Sequence, residues 1–286
     1  MNIPRHWARA TVSVPISGQS EPFVTVAYGH SHRDHAEAER DARDRAMRVA
    51  RWYERLGTRQ EEEIARDYLY GDDRPQREPI LRELGGGSGG ADRWAVVTRN
   101  AYGAEILNCA AVAFVDVDLP EQPSGLVARL LRRSAPGADE ILARLRATAE
   151  AMRIGTTIYR TAAGFRCLVT SELVDPMSPR SAELMERFGA DARYRALCRV
   201  QRSFRARLTP KPWRCGVARP PVQWPFRDAE AEARHAAWLD DYRRRSAEWA
   251  VCEEAATVGP RAGHPLAAEA RRVHDEACCR PGLPLA

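Results

Sequence analysis

The stretch Ala111-Val112-Ala113-Phe114-Val115-Asp116-Val117-Asp118-Leu119-Pro120 decides how this chain is read. A short unbroken apolar run of this kind reads as a buried strand, and here it ends in two carboxylates one residue apart. Side chains alternate across a strand, so Asp116 and Asp118 share a face. Two carboxylates held that close repel unless a cation or a group of arginines neutralises them. The run therefore predicts a cation site at a strand end. A plainer role competes with it, in which both acids cap the following turn and pair with Arg129, Arg132 or Arg133.

The 286 residues suffice for one large domain or two small ones. No segment approaches the roughly 18 unbroken apolar residues of a membrane helix. The first nine residues lack the apolar stretch of a signal peptide. The expectation is a cytoplasmic protein without a membrane partner. Cysteines stand at 109, 167, 198, 215, 252, 278 and 279, with no C-x-x-C pair, which indicates neither a disulfide framework nor a zinc ribbon but reduced thiols. Cys278-Cys279, with His274 nearby, lacks a partner set for a metal.

Charge is segregated along the chain. Lys211 is the only lysine, a bias that a GC-rich coding sequence explains without function. Between Asp191 and Asp228, however, lie ten cations (Arg193, Arg195, Arg199, Arg202, Arg205, Arg207, Lys211, Arg214, Arg219, Arg227) and no acid. The chain's net charge is +5, so everything outside this segment is acidic on balance. Such a segment is an electrostatic footprint for phosphate, because each cation that meets a phosphate also releases condensed counterions.

Residues 11–14 and 23–28 read as strands, followed by a helix over 33–56 with Ala42, Ala46, Val49, Tyr53 and Leu56 at helical spacing. Ser31 and Asp34 give it an S-x-x-D start. Gly85-Gly86-Gly87-Ser88-Gly89-Gly90 reads as a linker or a mobile loop. Beyond it, strands are predicted over 94–98 and 110–117, joined through Asn100-Ala101-Tyr102-Gly103, and a helix over 139–152. A hairpin over 156–160 and 165–170 turns at Thr161-Ala162-Ala163-Gly164, and Ser178-Pro179 opens a helix that ends at Gly189. This order argues for an α+β layer, a mostly antiparallel sheet covered by helices. A long helix over 228–256, carrying His235, Trp238, Tyr242, Trp249 and Cys252, and another after Pro265 read as a C-terminal helical pair. The divisions are an N-terminal unit 1–84, a linker 85–90, a core 91–227 and C-terminal helices 228–286.

A strand-end D-x-D beside folded-back arginines suits two-metal phosphoryl or nucleotidyl transfer. The carboxylates would hold Mg²⁺ or Mn²⁺ while Arg and Lys clamp the phosphates. Residues 113–118, a helix, the hairpin 158–169, a second helix, and Phe204-Arg205-Ala206-Arg207-Leu208-Thr209-Pro210-Lys211 resemble, in that order, the motifs of the archaeo-eukaryotic primase-polymerase superfamily, over roughly residues 94–214. The resemblance implies an RRM-like α+β core in which Asp116 and Asp118 are catalytic metal ligands. It also implies that the strand after the Gly164 turn contacts an incoming nucleotide. Arg166 stands where that family has a histidine, which alters this contact. For the third motif's acid, Asp175 and Asp191 are the available residues. Arg205, Arg207, Thr209 and Lys211 are similar to the family's following basic segment.

The functional expectation is a nucleic-acid or nucleotide-phosphate binding protein that resembles primase-polymerases, with metal-dependent nucleotidyl transfer as its catalytic form. Arg160 and Arg166 face the nucleotide in this reading. Arg199, Arg202, Arg205, Arg207 and Lys211 hold phosphate or template backbone, and the partner is nucleic acid or a nucleoside triphosphate. The alternative is a non-catalytic nucleic-acid-binding derivative. The stretch Tyr194, Leu197, Cys198, Gln201, Phe204 is amphipathic, with Arg193, Arg195, Arg199 and Arg202 on its other faces. Pro210-Lys211-Pro212-Trp213-Arg214 sets an aromatic among cations, suited to stacking on a base or to anchoring a loop. A third reading comes from Gly29-His30-Ser31-His32-Arg33-Asp34-His35. It matches the H-x-H-x-D-H zinc signature of metallo-β-lactamase-fold hydrolases, but the next histidine is His235 and the intermediate ligands are missing. A polar turn at the helix start competes with it.

Overall fold

The computed structural model describes residues 1–15, 20–56, 74–85, 93–120, 136–260 and 263–286. The Gly-rich residues 86–90 and Arg129, Arg132 and Arg133 lie outside the described residues. The chain divides into two compact units, one of residues 81–219 and 241–286 with Met1, the other of residues 2–80 and 220–240. Among the described residues, no helix is long and apolar enough to cross a membrane.

In the smaller unit, strands β1 (His6–Val14) and β2 (Phe23–Ser31) form an antiparallel pair, with Ala10 opposite Ala27. Helix α1 (His35–Leu56) lies on it. Ala38, Ala42, Ala46 and Ala50 recur every four residues and are fully buried, so the helix presents a stripe of methyl groups and approaches very closely. A Cβ placed on Gly29 would lie 2.2 Å from the Ala42 nitrogen, so only glycine fits there. Tyr53 stacks on Phe23 with ring centroids 3.9 Å apart. The helix start works as its sequence suggests: Ser31 Oγ accepts from Arg33 N at 2.9 Å, and Asp34 Oδ1 accepts from Glu37 N at 2.7 Å.

The larger unit is α+β with two antiparallel sheets. One runs β3 (Ile80–Leu84), β4 (Ala95–Arg99), β5 (Glu105–Cys109), β9 (Phe204–Arg207). The other runs β10 (Cys252–Val258), β7 (Thr156–Thr161), β8 (Gly164–Val169), β6 (Phe114–Asp118). Helices α2 (Ala138–Ala151), α3 (Pro179–Phe188), α4 (Ala192–Gln201), α5 (Ala229–Ser246) and α6 (Pro265–Cys278) complete the described elements, with a 3₁₀ turn at Pro212–Arg214. One continuous core joins Phe114, Val115 and Leu168 of the β6 sheet to Leu107, Phe204 and Ala206 of the other, and to Leu145 of α2 and Ala270 of α6. Tyr194 of α4 links the two sheets. Its hydroxyl donates to Phe114 O at 2.7 Å on β6 and accepts from Arg205 N at 3.3 Å on β9.

Three expected elements differ. The strand after the Asn100–Gly103 turn is β5, Glu105–Cys109, and a break at residues 110–113 separates it from β6. The helix expected over 228–256 stops at Ser246, and residues 252–258 instead form β10, paired antiparallel with β7. There is consequently no C-terminal helical pair: α5 and α6 are separated by an edge strand of the core sheet. The physical reason is that β7 offers an open edge, and pairing with it satisfies backbone groups that an exposed Glu-Glu-Ala-Ala helix would not bury anything to improve.

Candidate nucleic-acid interface

The register β6 to β8 sets Asp116 opposite Arg166 and Asp118 opposite Gly164. Arg166, only 2% exposed, grips Asp116 with Nε to Oδ1 at 2.8 Å and Nη2 to Oδ2 at 3.4 Å. Its Nη1 donates to Arg207 O at 2.9 Å. Burial works against the Arg166 charge, but Asp116 outweighs it and holds the guanidinium above its ordinary value. The repulsion expected within the acidic pair is thus relieved from inside the sheet. Gly164 is needed for this register, because a Cβ there would fall 2.1 Å from Val117 O.

Asp118 is exposed and free of that grip. Burial and the neighbouring Asp191 and Asp116 raise its pKa, while Lys211 and Arg207 lower it. Asp191 is brought there by the short link between α3 and α4. Its backbone N–H donates to Asp116 O at 3.3 Å, and its carboxylate caps α4 by accepting from Tyr194 N at 2.9 Å. Asp175 is elsewhere occupied, its carboxylate accepting from Met177 N at 2.8 Å within a turn.

Residues of the cationic segment reach the same place. Burial lowers the Lys211 pKa, as do Arg207 and Arg214, against the pull of Asp118 and Asp116. Arg207 is likewise lowered, by burial first and then by Arg166. Tyr242 of α5 fixes the loop, its hydroxyl donating to Pro210 O at 2.6 Å and meeting Thr209 Oγ1 at 2.7 Å. Lys211 Nζ lies 5.7 Å from the Trp213 ring centroid. Trp213 is 44% exposed and meets Tyr102, 41% exposed, edge-on at 5.3 Å. Arg219 lies over both rings, 5.1 Å from Tyr102 and 5.3 Å from Trp213. An exposed aromatic pair bordered by cations is suited to stacking a base beside its phosphate.

Other predicted residues fall outside this cluster. Arg160 is opposite Phe165 on β7–β8, whereas Arg166 is opposite Tyr159, so Arg160 and Arg166 project from opposite faces of the sheet. They do not share a ligand. Arg205 is buried and donates to Asn108 Oδ1 at 2.9 Å, a tie between β9 and β5. Arg199 and Arg202 are exposed at the end of α4. By sequence, Tyr102 is only part of a turn and Arg219 only one of ten cations, and nothing local in the sequence brings residue 102 to residue 213.

No family model, curated protein or solved structure matches this chain. The donor set can still be tested against Mg²⁺ or Mn²⁺. Among the described residues, no third His, Cys, Asp or Glu ligand atom joins Asp116 and Asp118 in a metal-sized cluster. Freeing Asp116 would leave the buried Arg166 charge unpaired at about 3–5 kcal/mol, which cuts metal affinity by roughly two to four orders of magnitude. The dyad does not fit a two-metal centre as it stands. The H-x-H-x-D-H residues also part company. His30 N donates to Asp41 and its ring packs on Trp7, His35 faces outward to Glu39, and Asp34 is spent as a helix cap.

Proposed function

We propose that this chain binds nucleic acid through the Arg207–Lys211–Arg214 cluster and the Tyr102–Trp213 platform, as a non-catalytic module. The observation that carries the reading is the exposed Tyr102–Trp213 pair with Arg219 over both rings and Lys211 beside Trp213. The cations suit an anionic phosphate, and the exposed rings give the attached base a surface on which to stack. Because stacking needs an unpaired base, the favoured substrate is single-stranded.

Nucleotidyl transfer is the second reading, favoured by the proximity of Asp118, Asp191 and Lys211. The Arg166–Asp116 pair weighs against it, and the resemblance to primase-polymerases then extends to fold order rather than chemistry. Fluorescence anisotropy with labelled single- and double-stranded DNA and RNA, over a salt series with and without EDTA, tests the choice. Expected are tighter binding to single strands, a log K that falls steeply with log salt, and indifference to EDTA. Salt-independent binding, or none, overturns the proposal. Nucleotide incorporation that requires Mg²⁺ or Mn²⁺ and is lost in Asp118→Asn would establish the second reading instead.

A further inference from the structure

Cys252, His274 and Cys278 are all buried, and their ligand atoms lie within 4.8 Å of one another. Sequence alone gave Cys278, Cys279 and His274 no partner set. The fold supplies it, because Cys252 opens β10 and α6 packs over that end of the sheet. Cys252 Sγ is 3.8 Å from His274 Nε2 and 3.9 Å from Cys279 Sγ. Tetrahedral ligands at zinc bond lengths stand roughly 3.5–3.8 Å apart, so these two spacings are close to edges of a zinc tetrahedron. Cys279 lies outside the mutually close group of three and has to draw in to become a fourth ligand. His274 and Cys278 are four apart on α6 and therefore share a face of the helix.

The histidine is also set for the task. Its Nδ1 meets Asp275 Oδ1 at 2.9 Å, and the other Asp275 oxygen accepts from Arg271 Nε at 3.1 Å. An Nδ1–H held by a carboxylate leaves the lone pair on Nε2, the nitrogen that faces Cys252, which is the usual outer-shell arrangement behind a metal-bound histidine. Arg166 Nη1 lies 3.3 Å from the same Nε2. It would surrender that contact on metal binding and keep Arg207 O and Asp116. Three thiolates with a divalent ion and a neutral imidazole sum to −1, a charge that the neighbouring guanidinium stabilises.

We infer that Cys252, His274 and Cys278 are the preformed part of a structural zinc site, completed by Cys279 as it closes on the ion, that ties the edge strand β10 to the C-terminal helix α6. Each thiol loses its proton to solvent as its Zn–S bond forms, with no change in oxidation state. No ligand of this site is assigned to the proposed nucleic-acid face, although Cys278 Sγ adjoins it, donating to Arg207 O at 3.3 Å.

The test is metal analysis of the full chain purified under reducing conditions, with Co²⁺ titration of chelator-stripped protein. Expected is about one zinc per chain, retained through dialysis and reduced at least roughly tenfold in Cys252→Ser and Cys278→Ser. Expected too is a thiolate-to-cobalt charge-transfer absorption on adding Co²⁺, and a rise in melting temperature on adding Zn²⁺ to the stripped chain. Should the buried variants fail to fold, Cys279→Ser, at the partly exposed ligand, keeps the question open to measurement by weakening the cobalt band. Wild type that binds neither metal and melts unchanged with Zn²⁺ overturns the proposal. So does a Cys252–Cys279 disulfide in freshly isolated protein.

Discussion

Arg166 and Asp116 form a bidentate pair whose arginine side chain is 2% exposed. Removing the arginine leaves Asp116, 27% exposed, without its partner, so Arg166→Met should destabilise the chain by about 1–3 kcal/mol, read from urea denaturation. The double variant Asp116→Asn/Arg166→Met should recover part of that loss, because the orphaned carboxylate is gone. No recovery would mean that the cost lies in packing or in the lost bond to Arg207 O. Asp118 behaves differently. Burial and the neighbouring Asp191 and Asp116 raise its pKa above the ordinary 3.8, so its ionised form weakens the fold. That penalty is full above the raised value and absent once the pH is below the ordinary one. Asp118→Asn should therefore melt slightly higher than wild type at neutral pH, by no more than about 0.5 kcal/mol given its exposure. The gap should close as the pH falls through the raised pKa, and a gap that widens in acid would contradict this assignment.

Among the elements, α1 and β2 make the tightest contact of the smaller unit. Gly29→Ala would drive a methyl group onto the backbone of α1, and overpacking of this kind costs about 1–3 kcal/mol. Circular dichroism melting of that variant should show the loss, whereas Gly137→Ala, where an added Cβ meets nothing within 4 Å, should show little. The start of α1 was readable because Ser31 and Asp34 act within three residues of one another. Ser178 and Pro179 opened α3 for the same reason, and Gly189, at φ 73°, closed it. The strand β10 could not be read this way. Cys-Glu-Glu-Ala-Ala-Thr-Val has mixed local preference, and only the open edge of β7 makes it a strand. The short β5 was missed, and the strand expected over 110–117 took in the break at 110–113, because the small residues there carry no strong turn signal.

At the scale of the whole molecule, the acidic strand end and the basic segment meet near Lys211, and binding should report their meeting. Lys211→Ala and Arg207→Ala should each lower the slope of log K against log salt by about 0.7–0.9, the contribution of one phosphate contact. Trp213→Ala should leave that slope nearly unchanged while weakening single-strand binding by about 1–3 kcal/mol, because it removes stacking rather than charge. Equal salt slopes for wild type and Lys211→Ala would move the contact face elsewhere on the chain.

The sequence by itself determined the α+β class, the buried strand that ends in Asp116 and Asp118, the helix caps and the segregation of charge, since each depends on neighbours a few residues apart. Tertiary structure decided which acid is neutralised and by what. It also joined Tyr102 to Trp213 and brought Cys252 to His274, 22 residues further along. Those contacts follow from strand register and from an edge strand added late in the chain, and local periodicity carries no record of which distant strand will be the partner.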